Sequence, residues 1–107
     1  ILAGGEVERP NHRIQGGGYV MKDLPCINNL QDQNIKVDGY LEVTDDEAIQ
    51  CARDLARFEG IFGGFSAGAN LAAAIQLLRT KHIAPNDTIA ILICDSGLKY
   101  LSTDLWE

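Results

Sequence analysis

Residues 44–78 read TDDEAIQCARDLARFEGIFGGFSAGANLAAAIQLL, and the first half of this stretch carries the start and stop signals of a helix. Thr44 and Glu47 have the spacing of a capping box, in which each side chain accepts a hydrogen bond from the backbone N–H of the other residue. Apolar residues then recur on one face and charged residues on the opposite face. The pattern predicts a helix that begins directly after Thr44 and ends at Gly60.

A second helix and two flanking strands complete the predicted fold. Ser66 is expected to be the N-cap of an alanine-rich helix over residues 67–78, whose apolar character predicts burial on more than one side. Residues 37–43 alternate as a strand does, and residues 88–94, TIAILIC, form the continuous apolar run typical of a buried parallel strand. The order strand, helix, helix, strand predicts an α/β fold, with helices packed on a small, largely parallel sheet in a single domain, residues 1–107.

Composition and charge narrow the class of protein. The chain has 107 residues, of which 46% are hydrophobic and 22% charged, with a formal net charge of -6. The acidic balance argues against a nucleic-acid or anionic-membrane partner, and no apolar run approaches the roughly 20 residues of a spanning helix. The three cysteines are widely spaced and form no CxxC pair, so we expect no metal site and interpret them as reduced core thiols of a cytoplasmic protein: Cys26, Cys51 and Cys94.

Residues 64–68, GFSAG, match the G-x-S-x-G nucleophile elbow of serine hydrolases. A nucleophilic serine of this kind needs a histidine further along the chain to take its proton. His12 precedes Ser66, and His82 follows the helix that Ser66 is expected to open, about 24 Å away at the rise of an α-helix. We therefore interpret Ser66 as a structural N-cap, and a serine esterase is the third hypothesis.

A more informative candidate for a binding site is the segment CDSG at 94–97, which begins at the last residue of the predicted buried strand 88–94. Ligands of open α/β sheets bind beyond the carboxyl ends of the strands, although Asp, Ser and Gly are also ordinary turn residues. Three segments occur in a distinctive order: HRIQGGG at 12–18, EGIFGGFSAGANLAAA at 59–74 and DSGLKYLST at 95–103. Together they resemble the C-terminal part of the cysteine synthase and cystathionine β-synthase family of fold-type II pyridoxal-phosphate enzymes.

This resemblance implies a pyridoxal-phosphate cofactor and roles for four residues. The family counterpart of Ser96 hydrogen-bonds the pyridine nitrogen, where a neutral hydroxyl favours loss of a β-substituent over transamination. Gln15, Gly16 and Gly17 match the family loop that lines the amino-acid pocket, where glycines let the backbone approach the substrate. The glycine triplet at 16–18 departs from the family pattern G-I-G-A-G, a difference that bears on the pocket shape and the substrate.

Two family motifs, the Schiff-base lysine and the glycine-rich phosphate loop, are not found in the chain. Lys22 follows the glycine triplet, where the family has no cofactor lysine. We therefore expect a C-terminal fragment, inactive alone, of an enzyme that replaces the β-substituent of an activated serine by sulfide or another nucleophile. A non-catalytic binding or assembly module derived from the family is the alternative. Without the N-terminal domain, the inner face of the predicted sheet and the apolar helix after Ser66 would be exposed. We therefore expect a homo-oligomer, or association with the missing N-terminal domain, that buries these apolar surfaces.

Overall fold

The computed structural model describes residues 25–106. Within this range three α-helices follow one another: α1, Pro25–Asp32; α2, Asp45–Glu59; and α3, Phe65–Arg79. Two short 3₁₀ helices then complete the described part, η1 over Gly97–Tyr100 and η2 over Asp104–Trp106.

Helix α2 has the ends that the sequence predicts. Thr44 Oγ1 accepts a hydrogen bond of 3.2 Å from the backbone N–H of Glu47, and Glu47 Oε2 accepts one of 2.8 Å from the backbone N–H of Thr44. At the other end Gly60 adopts the left-handed conformation with φ 68°, and its N–H is bonded to the carbonyl oxygen of Ala56 at 3.1 Å. The capping box and the glycine stop are both confirmed.

Helix α3 begins two residues earlier than predicted, so the assignment of Ser66 as N-cap is wrong. Gly64 is the N-cap, and its carbonyl oxygen accepts the first helical bond from Gly68 N at 3.2 Å. A Cβ at Gly64 would collide with the Tyr100 ring and the Asp95 carboxylate. The N-cap of α3 must therefore be a glycine, because this close tertiary contact leaves no room for a capping side chain.

The core lies between α2 and α3. Gly68 makes their closest approach possible, because a Cβ at this position would overlap the carbonyl oxygen of Ala48 and lie 2.9 Å from Ala52 Cβ. Phe65 and Leu105 are the largest fully buried side chains. The other buried apolar residues are Ala48, Ile49, Ala52, Leu55, Ala67, Ala72, Ala74 and Tyr100. Small residues in this list allow the two helix backbones to pack closely.

The predicted sheet is not found within residues 25–106. Residues 37–43 and 88–94 are neither helical nor paired as strands there, and Leu92 is 69% exposed. Two side-chain amides of α3 bind these segments instead, from Asn70 Nδ2 to the Leu92 carbonyl oxygen and from Gln76 Nε2 to the Glu42 carbonyl oxygen, each at 2.8 Å. An apolar run becomes a strand only when a neighbouring backbone pairs with it, and local sequence does not supply that partner.

The prediction of three core thiols is also wrong. All three cysteines are free, but Cys26 and Cys94 are exposed and only Cys51 is partly buried. Cys94 ends the unpaired segment 88–94, so the burial expected from a central strand is absent there. Burial raises the pKa of the Cys51 thiol, and the nearby Asp54 and Glu47 carboxylates raise it further. Cys51 therefore stays protonated and is a poor nucleophile.

Candidate functional site

Two of the segments singled out in the sequence meet at the start of α3. Gly63 and Ser96 form an isolated antiparallel bridge. Around it, Gly64 N donates to the Asp95 carbonyl oxygen at 3.3 Å, and Gly97 N donates to the Phe62 carbonyl oxygen at 2.9 Å. The loop of residues 95–97 is thus bonded through its backbone to the glycine-rich turn that precedes α3.

Ser96 occupies the exposed side of this loop. Its backbone is extended, with φ -82° and ψ 144°, and it is the N-cap of η1. Its Oγ accepts a hydrogen bond of 3.2 Å from the backbone N–H of Leu98. Because a hydroxyl that accepts one bond still has its own proton to donate, Ser96 presents a donor to solvent from a fixed backbone position.

Asp95 and Tyr100 form the polar support beneath Ser96. The hydroxyl of Tyr100, the buried last residue of η1, donates a 2.5 Å hydrogen bond to Asp95 Oδ2. This bond, together with burial, raises the pKa of Tyr100 to about 12. Lys99 Nζ lies 3.6 Å from the same oxygen, but its side chain is 67% exposed, so this ion pair adds little.

Aromatic rings hold the loop from two sides. The Tyr100 ring packs edge-on against Phe65, the first residue of α3, with ring centroids 5.1 Å apart. On the other side Phe62 and Trp106 have centroids 4.5 Å apart, and a Cβ at Gly97 would lie 2.6 Å from a ring atom of each. Trp106 Nε1 donates to the Gly97 carbonyl oxygen at 3.0 Å. Gly97 is therefore required where the backbone packs closely against these two rings.

An arginine of α2 hydrogen-bonds to the backbone of η2, which follows this loop. Arg53 Nε donates to the Leu105 carbonyl oxygen at 2.7 Å, and Arg53 Nη2 donates to the Asp104 carbonyl oxygen at 2.6 Å. These charge-assisted bonds join η2 to α2 and so hold Trp106 against Gly97. This contact has no local signal in the sequence, because the partners are 51 and 52 residues apart.

The other candidate residues from the sequence lie outside the described range, within α3 or just beyond it. Gln15, Gly16 and Gly17 lie outside the described residues, so their predicted place in an amino-acid pocket is untested. Ser66 is partly buried in the first turn of α3, whereas His82 is exposed just beyond the last turn, 2.6 Å from Thr80 Oγ1. Within the described part of the chain, no histidine therefore lies beside Ser66 to act as a base.

The roles of Asp95 and Tyr100 were missed at the sequence level. The pair is visible in DSGLKYLST, where the carboxylate of Asp95 precedes the phenol of Tyr100 by five residues. Five residues connect two side chains only if the backbone between them turns tightly, and the four-residue η1 provides that turn.

A metal-ligand cluster and a membrane-spanning helix are both absent between residues 25 and 106. No group of three or more His, Cys, Asp or Glu side chains in this range could hold a metal ion. None of the helices described there has the length and apolar character needed to cross a membrane.

Comparison with known proteins identifies the family. The family model described as Pyridoxal-phosphate dependent enzyme matches residues 6–95, and the chain belongs to this family. The predicted resemblance to fold-type II pyridoxal-phosphate enzymes is thereby confirmed, together with the cofactor that the complete enzymes use.

Within the family, the chain is similar to cysteine synthases. The cysteine synthase of Buchnera aphidicola subsp. Acyrthosiphon pisum is 37% identical over 109 residues, which cover 100% of this chain and 32% of that protein. Cysteine synthase A of Escherichia coli (strain K12) is 38% identical over 105 residues, 98% of this chain and 30% of that protein. The Haemophilus influenzae cysteine synthase is 37% identical over 108 residues, which cover 99% of this chain and 31% of that protein. The chain thus spans about a third of the length of these relatives.

The chemistry of Ser96 fits one part of the family's cofactor. A pyridine nitrogen without a proton is a hydrogen-bond acceptor, and Ser96 offers a neutral donor whose oxygen is already oriented by Leu98 N–H. The surrounding backbone bonds restrict the movement of this donor. A positioned hydroxyl of this kind is suited to a ring nitrogen that is to remain unprotonated.

Proposed function

We propose that the chain forms about a third of a pyridoxal-phosphate-dependent, cysteine-synthase-like enzyme, as a single domain over residues 1–107. The enzyme replaces the β-substituent of an activated serine by sulfide or a related nucleophile, which makes it a transferase or lyase of amino-acid biosynthesis. The observation that carries the proposal is the alignment of cysteine synthases over 98–100% of the chain. The exposed, backbone-held hydroxyl of Ser96 supports it independently.

In this proposal the hydroxyl of Ser96 would donate a hydrogen bond to the pyridine nitrogen of the cofactor. The bound cofactor supplies an electron sink for bond cleavage at the substrate, and Ser96 moderates that sink because it leaves the ring nitrogen unprotonated. Gln15, Gly16 and Gly17 line the pocket of the amino-acid substrate. Backbone N–H groups next to glycines can come close to a carboxylate there.

The remaining two thirds of the enzyme supply the lysine that binds the cofactor covalently and the loop that binds its phosphate. Without them the 107-residue chain neither holds the cofactor covalently nor turns over. The segment 88–94 joins a parallel sheet in the complete enzyme, and the exposure of Ile89, Leu92 and Ile93 supports this, because apolar strands of such sheets are normally covered. Association into a homo-oligomer and a cytoplasmic location complete the proposal.

A hybrid enzyme tests the function. The aligned third of the Escherichia coli relative is replaced by residues 1–107, and the hybrid is assayed for cysteine formation from an O-acylated serine and sulfide. We expect turnover and a visible cofactor absorbance band. Ser96→Ala should lower kcat at least about tenfold, since it removes a positioned donor, and should shift that band. Ser102→Ala is the matched control, because Ser102 is an exposed serine of the same segment.

Two results would contradict the proposal. One is a cofactor-bound, active hybrid in which Ser96→Ala behaves as Ser102→Ala does, which would contradict the role of Ser96 but not the proposed reaction. The other is a hybrid that folds but binds no cofactor, which would favour the alternative of a non-catalytic assembly module. For the isolated chain, a lysine-dependent cofactor absorbance band would overturn the expectation that the missing part supplies the lysine.

A further inference from the structure

The two carboxylate oxygens of Asp95 have unequal surroundings. Oδ2 accepts the 2.5 Å bond from the Tyr100 hydroxyl. Oδ1 is buried and has no hydrogen-bond partner within residues 25–106, where it lies against the backbone of Gly64. An unpartnered buried oxygen is unfavourable, because it has lost water without a replacement. The Tyr100 hydroxyl is therefore the contact that keeps this carboxylate turned into the protein.

Tyr100 is also the residue that joins the loop to α3. Its ring packs edge-on against Phe65, and a Cβ at Gly64 would lie 3.0 Å from its Cδ2. Asp95 is held at two points, by its carbonyl oxygen to Gly64 N and by its carboxylate to Tyr100. Ser96, the next residue, has little freedom while both contacts are made.

We propose that Tyr100 is a positioning residue for Ser96: its hydroxyl holds the Asp95 carboxylate, and so keeps the loop of residues 95–97 against the turn that begins α3. The inference rests on the proposed role of Ser96 toward the cofactor. When the hydroxyl is removed, both oxygens of Asp95 lack a donor apart from the exposed Lys99. The carboxylate then turns outward to water, and the backbone of Ser96 moves with it.

The first test measures the loop in the 107-residue chain without any cofactor. Amide hydrogen exchange of Gly64 and Gly97, the two donors that bond the loop to the turn, is followed by NMR. Tyr100→Phe keeps the packed ring and should speed exchange at both amides about tenfold or more, since a bond to a charged acceptor is lost. Exchange at Ala52, in the centre of α2, should change much less.

Two control variants separate positioning from general loss of stability. Tyr40→Phe removes the hydroxyl of an exposed tyrosine and should leave exchange unchanged. Thr44→Ala weakens the cap of α2 at a site distant in sequence from the loop, so it should speed exchange uniformly. A Tyr100→Phe variant with the uniform pattern of Thr44→Ala, or with no change at Gly64 and Gly97, would overturn the inference.

The second test asks whether Tyr100 acts through Ser96 in the hybrid enzyme described above. Tyr100→Phe should lower kcat and shift the cofactor absorbance band in the same direction as Ser96→Ala. The double variant should be no worse than Ser96→Ala alone, because one residue acts through the other. Additive losses in kcat would contradict this. Asp95→Asn, which keeps an acceptor oxygen for Tyr100, should be milder than Asp95→Ala, and it provides the measurement if Tyr100→Phe does not fold.

The two proposals fail in different ways. If Ser96→Ala has no effect on the hybrid while Tyr100→Phe still speeds exchange at Gly64 and Gly97, the function assigned to Ser96 is wrong. If Ser96→Ala is effective and Tyr100→Phe changes neither exchange nor absorbance, the positioning role of Tyr100 is wrong.

Discussion

The G-x-S-x-G pattern has a structural explanation that Gly68→Ala can test. In an exposed helix this change would stabilise the protein by about 1 kcal/mol, because alanine is the better helix former. At Gly68 the added Cβ overlaps the Ala48 carbonyl oxygen and lies 2.9 Å from both Ala52 N and Ala52 Cβ. Two of these three atoms are backbone atoms of α2, so no side-chain rotation relieves the overlap.

The helices must therefore separate, and overpacking of this kind costs up to about 3 kcal/mol. After subtraction of the helix-forming gain, we expect a net loss of roughly 1–2 kcal/mol in the free energy of unfolding. For a domain of this size the loss corresponds to a melting temperature lower by roughly 5–15 °C.

Urea unfolding of the 107-residue chain, followed by circular dichroism, measures the effect. Gly39→Ala is the control, because no atom lies within 4 Å of the position its Cβ would take. That change should alter stability by no more than about 1 kcal/mol, in the stabilising direction. If Gly68→Ala is as stable as the wild type or more stable, the close approach of α2 and α3 is not the reason for this glycine.

Three further perturbations act on separate contacts. Thr44→Ala removes the capping box and should destabilise the chain by about 1 kcal/mol in the same urea assay; no loss would mean that the cap is not formed. Arg53→Ala leaves two carbonyl oxygens without their donor, so it should lower the free energy of unfolding by about 1–3 kcal/mol. It should also shift the fluorescence of Trp106 to longer wavelength. Arg57 is exposed, so Arg57→Ala should have neither effect. The raised pKa of Tyr100 predicts stability that is complete below about pH 10 and lost as the pH rises toward about 12. Tyr100→Phe should remove this alkaline loss, and an unchanged pH profile would contradict the hydrogen bond.

Local sequence was sufficient for α2. Its start depends on Thr44 and Glu47, which are three residues apart, and its end on Gly60, which adopts a conformation that glycine favours. The existence of α3 also follows from its alanine-rich composition, but its first residue does not. The N-cap is Gly64 instead of Ser66. It must be a glycine, because Tyr100, more than thirty residues away, occupies the space that a side chain at position 64 would need.

The candidate site shows the same division. The segment DSGLKYLST made Ser96 a candidate, and the order of three short segments predicted the family, because such motifs consist of consecutive residues. The contact of Tyr100 with Asp95, the bridge from Ser96 to Gly63 and the anchoring of the chain end by Arg53 were not found, because their geometry depends on how distant segments pack.

The two predicted strands depend on a pairing partner that local sequence does not specify. Residues 37–43 and 88–94 have the composition of strands, but a strand exists only when another backbone supplies hydrogen bonds to it. Capping, helical periodicity and the family motifs are properties of neighbouring residues, so the sequence alone determined α2, the presence of α3 and the family. The start of α3, the hydrogen bond from Tyr100 to Asp95 and the absence of strand pairing within residues 25–106 depend on contacts across the fold, so only the tertiary structure decided them.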